Sequence, residues 1–293
     1  MSIPINSLCY QSNMAKTMDQ ARTLGDSDTA TAFAKELLNV YLSMPADASS
    51  AHFGPITNDL LKQYYNLGPD RFQKEKEDSN RFVLERLEML TQQVTAQVDP
   101  VLAGLQFSIL GNYLDFSALY GQVSFQKLDE MLDDALKMPL DMDIYRQLLS
   151  DFENGKKLLY ITDNAGEIGF DRIFAQQIHK KYPHLEITFM VRGQLAQNDA
   201  TREDAAIMGI EFPVIDNGNA LAGTDISLLS KEAKCALDDA DVIIAKGMGN
   251  TETMYGCGYN VYYAFLVKCV RFVEFFNQPM MTPMIHQDPN AKN

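Results

Sequence analysis

Hydrophobic positions follow a helical spacing through the first half of the chain. Between about residue 14 and residue 150, apolar side chains recur every three or four positions among charged ones, as in the run FVLERLEM at 82–89. Turn-forming pairs separate successive segments at Gly54-Pro55, Gly68-Pro69, Asp99-Pro100 and Met138-Pro139. No strand-like alternation stands out in this half. The pattern predicts a helical part over residues 1–150.

After Asn154 short apolar runs alternate with amphipathic stretches. The predicted strands are Lys157–Ile161, Glu186–Val191, 211–215, 241–245 and 262–267. The predicted helices are 168–182, 201–208 and 228–237. Strands that alternate with helices indicate a parallel sheet with helices on both faces. We therefore predict an α/β fold, with the helical part followed by a three-layer α/β/α part over residues 151–293 and a mainly parallel sheet. The polar tail, 286–293, is expected to fray.

Polar side chains stand at the points where the predicted strands end. In the first such loop, Asp163, Asn164 and Glu167 supply hard oxygen donors, which suit Mg²⁺ or Mn²⁺. Parallel strands present their carboxyl ends at one edge of a sheet. We therefore expect a single rim that carries Asp163, Asn164, Asp199, Asn217, Lys246 and Asn250. A lysine beside two glycines at this rim would suit an anionic group.

Each loop also has a purely structural reading. Thr162 or Asp163 would cap the following helix, with Glu167 in its first turn. Asp199 would likewise cap the next helix, and the sequence around Asn217 is more typical of a turn than of a ligand. The convergence of all these loops on one edge favours a site over the separate structural readings. Within such a site, Asp163 and Asp199 are expected to face solvent.

Composition narrows the classes of partner. The chain has 25 Lys and Arg against 39 Asp and Glu, a net charge of −14, which disfavours nucleic acid and anionic membranes. Four scattered cysteines suggest neither a zinc site nor a disulfide framework. The start of the chain lacks the apolar core of a secretory signal, and no apolar run is long enough to cross a bilayer. We expect a cytoplasmic protein.

Several common site motifs are missing from the sequence. The first loop, DNAGEIG, lacks the G-x-G-x-x-G of a dinucleotide site, and no P-loop occurs. Ala165 stands where a D-x-D phosphatase would need its second carboxylate. The four histidines lie outside the rim motifs, which argues against histidine chemistry.

Five segments of the sequence resemble the motifs of the damage-control phosphatase family, which is also called the acidic-residue-methyltransferase-like metal-binding domain. The resemblance is greatest to the small microbial subgroup of this family. The similar segments are TDNAGEIGFD (162–171), NDATREDA (198–205), DNGNALAGTD (216–225), IAKGMGNTET (244–253) and, in the helical half, LGNYLDF (110–116). The resemblance covers nearly the whole chain. One departure is Asn6, which stands where the subgroup usually begins a C-x-x-C pair, so that only Cys9 remains.

The resemblance implies a divalent metal held by the Asp-Asn pair of the first motif and the Asp of the second, here Asp163, Asn164 and Asp199. It implies phosphate binding by the fourth motif, here Lys246, Gly247, Gly249 and Asn250. It also implies that the helical part lends two polar side chains to the same cleft, Asn112 and Asp115. Asn217 is kept as a further candidate substrate contact.

These observations predict a metal-dependent phosphatase for small phosphorylated metabolites, namely sugar phosphates or damaged relatives, with Mn, Mg, Co or Ni as the metal. The nucleophile is either a water oriented by Glu167 or Asp199, or Asp163 itself. Two other classes remain open: an S-adenosylmethionine-dependent carboxyl methyltransferase, and a non-catalytic metal or nucleotide sensor. The sequence names neither the substrate nor the oligomeric state.

Overall fold

A computed structural model describes residues 2–119 and 122–292. In these residues, eight α-helices precede the first strand, which confirms the predicted helical N-terminal part. They are α1 (Ser7–Leu24), α2 (Ser27–Ser43), α3 (Phe53–Tyr65), α4 (Gln73–Leu84), α5 (Leu87–Thr95), α6 (Pro100–Gly111), α7 (Phe125–Asp134) and α8 (Met142–Asn154). None of the described helices combines the length and apolarity that a membrane crossing needs.

Strands and helices then alternate, as predicted. The strands are β1 (Lys157–Ile161), β2 (Glu186–Val191), β3 (Val214–Asp216), β4 (Val242–Lys246), β5 (Val261–Leu266) and β6 (Pro283–Gln287). The helices are α9 (Glu167–Lys181), α10 (Arg202–Ile207), α11 (Lys231–Asp239), α12 (Gly247–Met254) and α13 (Val270–Phe276). The sheet has the order β3-β2-β1-β4-β5-β6, and every neighbouring pair is parallel except β5 with β6.

Two strand predictions need correction. The third strand is shorter than predicted and begins after Pro213, which has no N–H to donate to a neighbouring strand. The sixth strand was missed, because we expected 286–293 to fray. Its His286 pairs with Tyr263 of β5 in the antiparallel register. Asp288, directly after the strand, is buried and accepts hydrogen bonds from the Tyr263 hydroxyl and the Gly256 N–H, both at 2.7 Å. Residue 293 lies outside the described part.

Alternate residues of β1 enter two different hydrophobic cores. Leu158 and Tyr160 face a core built with α4 to α9, whereas Leu159 and Ile161 face a core built with α11, α12 and α13. Period-two alternation puts successive side chains on opposite faces of a sheet. The burial of both faces explains why β1 and β4 read as continuous apolar runs. The result is a three-layer arrangement, which confirms the predicted α/β/α part.

Helix α6 is apolar on all sides and packs closely against α9. Ten of its twelve residues are buried. A Cβ on Gly104 would lie 3.0 Å from the Cα of Phe174, and one on Gly111 would lie 2.7 Å from the ring of Phe170. The two glycines therefore let the helices approach closely. Because α6 ends at Gly111, this packing fixes the position of Asn112, the next residue.

Helices α1 to α3 share a third core of their own, which includes Phe33, Leu37 and Leu61. Asn6 begins this layer: its side chain accepts hydrogen bonds from the N–H groups of Leu8 and Cys9 and so caps α1. Helices α4 to α8, in contrast, belong to the core that contains Leu158 and Tyr160 of β1. The change from helices to strands falls at residues 154–157, but the boundary between the cores lies between α3 and α4.

Candidate active site

The loops that follow β1 and β2 pair with each other through their backbones. Asn164 and Asp199 form an isolated antiparallel bridge. The Ala200 N–H donates to the Asp163 carbonyl at 2.7 Å, and the Ala165 N–H donates to the Asn198 carbonyl at 2.8 Å. This pairing brings the three predicted metal ligands together. It lies at the carboxyl end of β1, beside β4, where the order of strands reverses and where open α/β sheets bind ligands.

The two aspartates of this pair are buried, so the expectation that they face solvent is wrong. Asp163 is 6% exposed and Asp199 is 3% exposed. Oδ2 of Asp163 accepts hydrogen bonds from the side-chain amides of Asn112 at 2.9 Å and Asn164 at 2.7 Å. Oδ2 of Asp199 accepts one from Nε of the buried Arg192 at 2.7 Å. Side chains from α6 and from the end of β2 therefore cover the rim.

The carboxylates of the rim repel each other. Burial, followed by the charges of Asp199 and Glu167, raises the pKa of Asp163 well above its usual range. Burial also raises the pKa of Asp199 to about 6, although Arg192 opposes the shift. A divalent cation would relieve this crowding, since it favours the ionised form of both groups.

The donor set fits a hard divalent cation. It consists of two carboxylates and the amide oxygen of Asn164, which accepts a hydrogen bond from Asn198 Nδ2 at 2.8 Å. The Asn198 side-chain oxygen is itself buried without a hydrogen-bond partner in the structure. Over residues 2–119 and 122–292, no cluster of three or more His, Cys, Asp or Glu side chains is suited to a metal. A metal at the rim would therefore depend on the asparagine as its third protein ligand.

Glu167 lies beneath Asn164 and is completely buried. Its Oε2 accepts hydrogen bonds from the Asn164 side chain at 2.7 Å and from the Asn112 side chain at 3.0 Å. Its Oε1 accepts one from the Lys246 ammonium at 2.6 Å. Both carboxylate oxygens are thus engaged by protein donors. In this arrangement Glu167 orients Asn164 and Asn112, and the prediction that it orients a water finds no support in the geometry.

Lys246 points into the layer between the sheet and helices α6 and α9. Its ammonium donates to Glu167 Oε1, to Asp171 Oδ1 at 2.9 Å and to the Ser108 carbonyl at 2.8 Å, and the residue is 0% exposed. Burial alone would lower the pKa of Lys246, but Asp171 and Glu167 outweigh it and raise the pKa. All three donors are used. The structure therefore contradicts the prediction that this ammonium contacts a phosphate.

The glycines of the fourth motif, Gly247 and Gly249, allow close packing of the chain at the start of α12, and Gly247 lies directly against the rim. Gly247 has a φ of 79°, and a Cβ there would collide with the Asp163 carboxylate. It begins α12, whose first N–H groups have no acceptor within the helix. Gly249 lies against the backbone of Ala222, where a Cβ would clash with the carbonyl oxygen. The predicted phosphate role therefore has a geometric basis at the start of α12, whereas Gly249 also has a packing reason.

The side chains of Asn250 and Asn217 connect neighbouring loops through hydrogen bonds. Because protein groups engage both, the structure contradicts the prediction that they touch substrate. The amide nitrogen of Asn250 donates to the carbonyls of Thr162 at 3.0 Å and Lys246 at 2.6 Å, and its oxygen accepts from Arg192 at 3.1 Å and the Thr224 hydroxyl at 2.9 Å. All four of its hydrogen-bonding positions are filled. The oxygen of Asn217 accepts from the N–H groups of Gly193 and Asn219, and both asparagines are 0% exposed.

The helical part places Asn112 and Asp115 beside the rim, and together they hold a lysine that the sequence analysis missed. Their contact with substrate, which the resemblance implies, stays a prediction. The side chain of Asn112 reaches Asp163 and Glu167, while its carbonyl accepts a hydrogen bond from Lys268 Nζ at 2.7 Å. Asp115 Oδ2 accepts another from Lys268 Nζ at 2.7 Å. Burial would raise the pKa of Asp115, but Lys268 and the neighbouring N–H groups hold it below its usual value.

A sequence signal for Lys268 was available. Lys246 is the last residue of β4, and Lys268 lies shortly after the last residue of β5, Leu266, so both lysines stand at the carboxyl edge of the sheet. Its positive charge also opposes the rise in the pKa of Asp163, which is a sign of its proximity to the rim. The structure therefore replaces Lys246 with Lys268 as the lysine beside the candidate ligands.

Comparisons with known proteins identify the family of this chain. Residues 5–282 match the profile of the damage-control phosphatase ARMT1-like domain. An uncharacterised protein from Methanocaldococcus jannaschii is 37% identical over 215 residues, which are 71% of this chain and 68% of that protein. A damage-control phosphatase from Archaeoglobus fulgidus is 29% identical over 262 residues, or 85% of this chain and 87% of the relative.

Two further matches come from Pyrococcus horikoshii. A damage-control phosphatase of this organism is 36% identical over 152 residues, or 51% of this chain and 52% of its own length. The crystal structure of a DUF89 family protein, at 2.04 Å resolution, has a TM-score of 0.83 at 24% identity and covers 97% of this chain and 99% of its own. The solved structure supports the fold, and the profile confirms the resemblance seen in the motifs. The chain belongs to the damage-control phosphatase ARMT1-like family.

Proposed function

We propose that this protein is a divalent-metal-dependent phosphatase that hydrolyses small phosphorylated metabolites. The observation that carries the proposal is the backbone pairing of Asn164 with Asp199, which gathers two carboxylates and an amide oxygen beside the first turn of α12. Two relatives are named damage-control phosphatases, which supports the reaction class. Sugar phosphates or damaged forms of phosphorylated metabolites are the proposed substrates.

The residues of the rim suit phosphoryl transfer, which depends mostly on positioning and electrostatics. A divalent metal held by Asp163, Asn164 and Asp199 would supply positive charge at a phosphoryl oxygen and lower the pKa of a bound water. The N–H groups of the first turn of α12, which have no acceptor within the helix, would donate to the other phosphoryl oxygens. Lys268 adds a positive charge on the side of Asn112.

The protein residues also narrow the choice of nucleophile. Both oxygens of Glu167 are occupied, which leaves Asp199 to orient an attacking water. Direct attack by Asp163 is the competing route. Acid-quenched single turnovers, followed by mass analysis of the protein, separate the two routes: we expect no phosphorylated aspartate, and a phosphoryl group on Asp163 would establish the covalent route.

The decisive experiment is hydrolysis of a generic phosphate ester by protein that has first been stripped with a chelator. We expect no turnover without metal and restored turnover with Mn²⁺, Co²⁺, Ni²⁺ or Mg²⁺ added back. Equal turnover in chelator would refute metal dependence. No turnover with any of the metals, across a panel of phosphorylated metabolites, would favour the non-catalytic sensor.

The methyltransferase alternative is tested separately. The β1–α9 loop has little room for an adenosyl cofactor, because a Cβ on Gly166 would already lie 2.8 Å from Ser79 and 3.0 Å from Leu114. We therefore expect no stoichiometric binding when S-adenosylmethionine is titrated by calorimetry. Tight binding would restore this alternative.

A further inference from the structure

One side chain of the helical part connects the two loops that carry the candidate metal ligands. Asn80 lies on α4 and is 4% exposed. Its Oδ1 accepts a hydrogen bond from the Gly166 N–H at 2.7 Å, in the loop that follows β1. Its Nδ2 donates to Asp204 Oδ1 at 2.8 Å, in helix α10, which follows the loop after β2. Asn80 therefore joins two segments that are distant from it, and from each other, in sequence.

The groups around the Asn80 amide fix its direction. The Gly166 N–H needs an acceptor and the Asp204 carboxylate needs a donor, so a reversed amide would place like groups against each other at both ends. Oδ2 of Asp204 is held in turn, because it accepts hydrogen bonds from the N–H and the hydroxyl of Thr201, both at 2.8 Å, and pairs with Lys76 Nζ at 2.9 Å. Lys76, Asn80 and Asp204 are all buried, where such contacts are stronger than in water.

Asn80 completes a closed ring of contacts beside the ligand pair. Asn164 and Asp199 form the backbone bridge between the two loops. Gly166 lies shortly after Asn164 in the first loop, Asp204 lies shortly after Asp199 in the second, and Asn80 joins these two positions. The loops are therefore connected twice, once through their own backbones and once through α4. A single connection would leave the loops free to hinge about it, whereas two connections fix the separation of the ligands.

We propose that Asn80 is a positioning residue for the metal rim: it sets the separation of the two ligand loops and thereby the affinity for the divalent cation. The proposal rests on the proposed function, which places a metal at this rim. Ligands must be held to within about 0.5 Å of the productive geometry. Groups that orient metal ligands commonly alter metal affinity by about ten- to a hundred-fold. Asn80 acts on the ligands through Gly166 and Asp204.

The variant Asn80→Asp tests this role. The new carboxylate keeps an acceptor for the Gly166 N–H but faces Asp204 with a like charge, so we expect the connection through α4 to open. Metal-free protein is titrated with Mn²⁺ by calorimetry, without substrate. We expect a Kd about ten-fold weaker than that of the wild-type protein. Equal Kd values would overturn the proposal and leave the phosphatase function intact.

An exchange of the two side chains provides the rescue. In the double variant Asn80→Asp with Asp204→Asn, the carboxylate at position 80 accepts from the Gly166 N–H and from the new amide, whose oxygen accepts from the Thr201 N–H. Lys76 lies one helical turn before position 80 on α4 and keeps a carboxylate within reach. We therefore expect the double variant to recover most of the Mn²⁺ affinity that Asn80→Asp loses. No recovery would refute the role of the hydrogen bond between Asn80 and Asp204.

Asn260→Asp is a matched control at the opposite edge of the sheet. Asn260 precedes β5, and its Nδ2 donates to Asp151 Oδ2 of α8 at 2.8 Å, so the same substitution again sets two carboxylates against each other. Urea unfolding should show a lower midpoint for this variant, as for Asn80→Asp, but its Kd for Mn²⁺ should equal that of the wild-type protein. A comparable loss of Mn²⁺ affinity in both variants would show that destabilisation alone weakens binding, and would overturn the proposal.

Hydrogen exchange decides the question if the wild-type protein binds no Mn²⁺, a result that would itself refute metal dependence. The Ala165 and Ala200 N–H groups donate across the two loops, so the exchange of peptides that contain them reports the pairing of the loops directly. We expect exchange about ten-fold faster in Asn80→Asp than in the wild-type protein or in Asn260→Asp, with recovery in the double variant. Unchanged exchange in Asn80→Asp would refute the positioning role.

Discussion

The ammonium nitrogen of Lys246 lies 2.6 Å from Oε1 of Glu167, and neither side chain has any surface exposed to solvent. Asp171 forms the second ion pair of the same lysine at 2.9 Å. We expect Lys246→Met to lower the free energy of unfolding by about 3–5 kcal/mol, because it leaves buried carboxylates without their cation. Urea unfolding measures this loss.

The double variant Lys246→Met with Glu167→Gln is the control for that prediction. It removes the cation together with the charge of Glu167, so that only Asp171 is left without its cation. We therefore expect the double variant to be more stable than Lys246→Met alone. If Lys246→Met instead retained full stability and lost only inhibition by inorganic phosphate, the lysine would be a phosphate ligand and the arrangement described here would be wrong.

Asp163→Ala and Asp199→Ala are expected to abolish activity but to differ in stability. Removing Asp163 relieves carboxylate crowding, and the amides of Asn112 and Asn164 still have Glu167 as an acceptor, so stability should be kept or increased. Removing Asp199 leaves the buried Arg192 without its closest partner and should cost about 3 kcal/mol. Urea unfolding of the metal-free proteins tests the difference, and equal stabilities would contradict it.

Gly247→Ala is expected to abolish activity, since the new Cβ would displace the Asp163 carboxylate. Gly209→Ala is a matched control: its φ of 62° imposes similar backbone strain, but its Cβ would meet only the end of the Arg172 side chain, at 3.5 Å. The control should lose about 1–2 kcal/mol of stability and keep its activity. Assays and urea unfolding of both variants measure the contrast. An active Gly247→Ala protein would show that Asp163 tolerates displacement.

Glu252 should make the stability of the protein depend on pH. Burial raises the pKa of its carboxyl from 4.5 to about 7, and its side chain accepts a hydrogen bond from Ser50. The folded state therefore binds the proton more tightly than the unfolded state, so this stabilisation is complete below pH 4.5 and is lost as pH rises to about 7. Glu252→Gln should remove about 3 kcal/mol of the difference in unfolding free energy between about pH 5 and about pH 8. An unchanged pH dependence would contradict this assignment.

Much of the fold could be predicted because burial leaves a clear pattern in the chain. The first two strands agree with prediction to the residue, since both are apolar runs between turn residues. The sixth strand was missed because it contains His286 and Gln287 and has no continuous apolar run, so its identity depends on pairing with β5 rather than on its own composition.

The site could be predicted in position but not in the direction of its side chains. Sequence order places Lys246 at a strand end, yet its function depends on the face to which it points. Ile244, two residues earlier, belongs to the core shared with α6 and α9, so period-two alternation turns Lys246 towards that same layer. That inference needs the assignment of faces, which only the packed structure provides.

The separate core of α1 to α3 has a consequence for how proteins of this architecture diverge. Phe33, Leu37 and Leu61 pack among themselves, in a core separate from the one that holds Leu158 and Tyr160 of β1. The candidate metal ligands lie outside this layer. We therefore expect substitutions in the core of α1 to α3 to affect the loops that pair Asn164 with Asp199 only weakly, so the two parts of the chain can evolve at different rates.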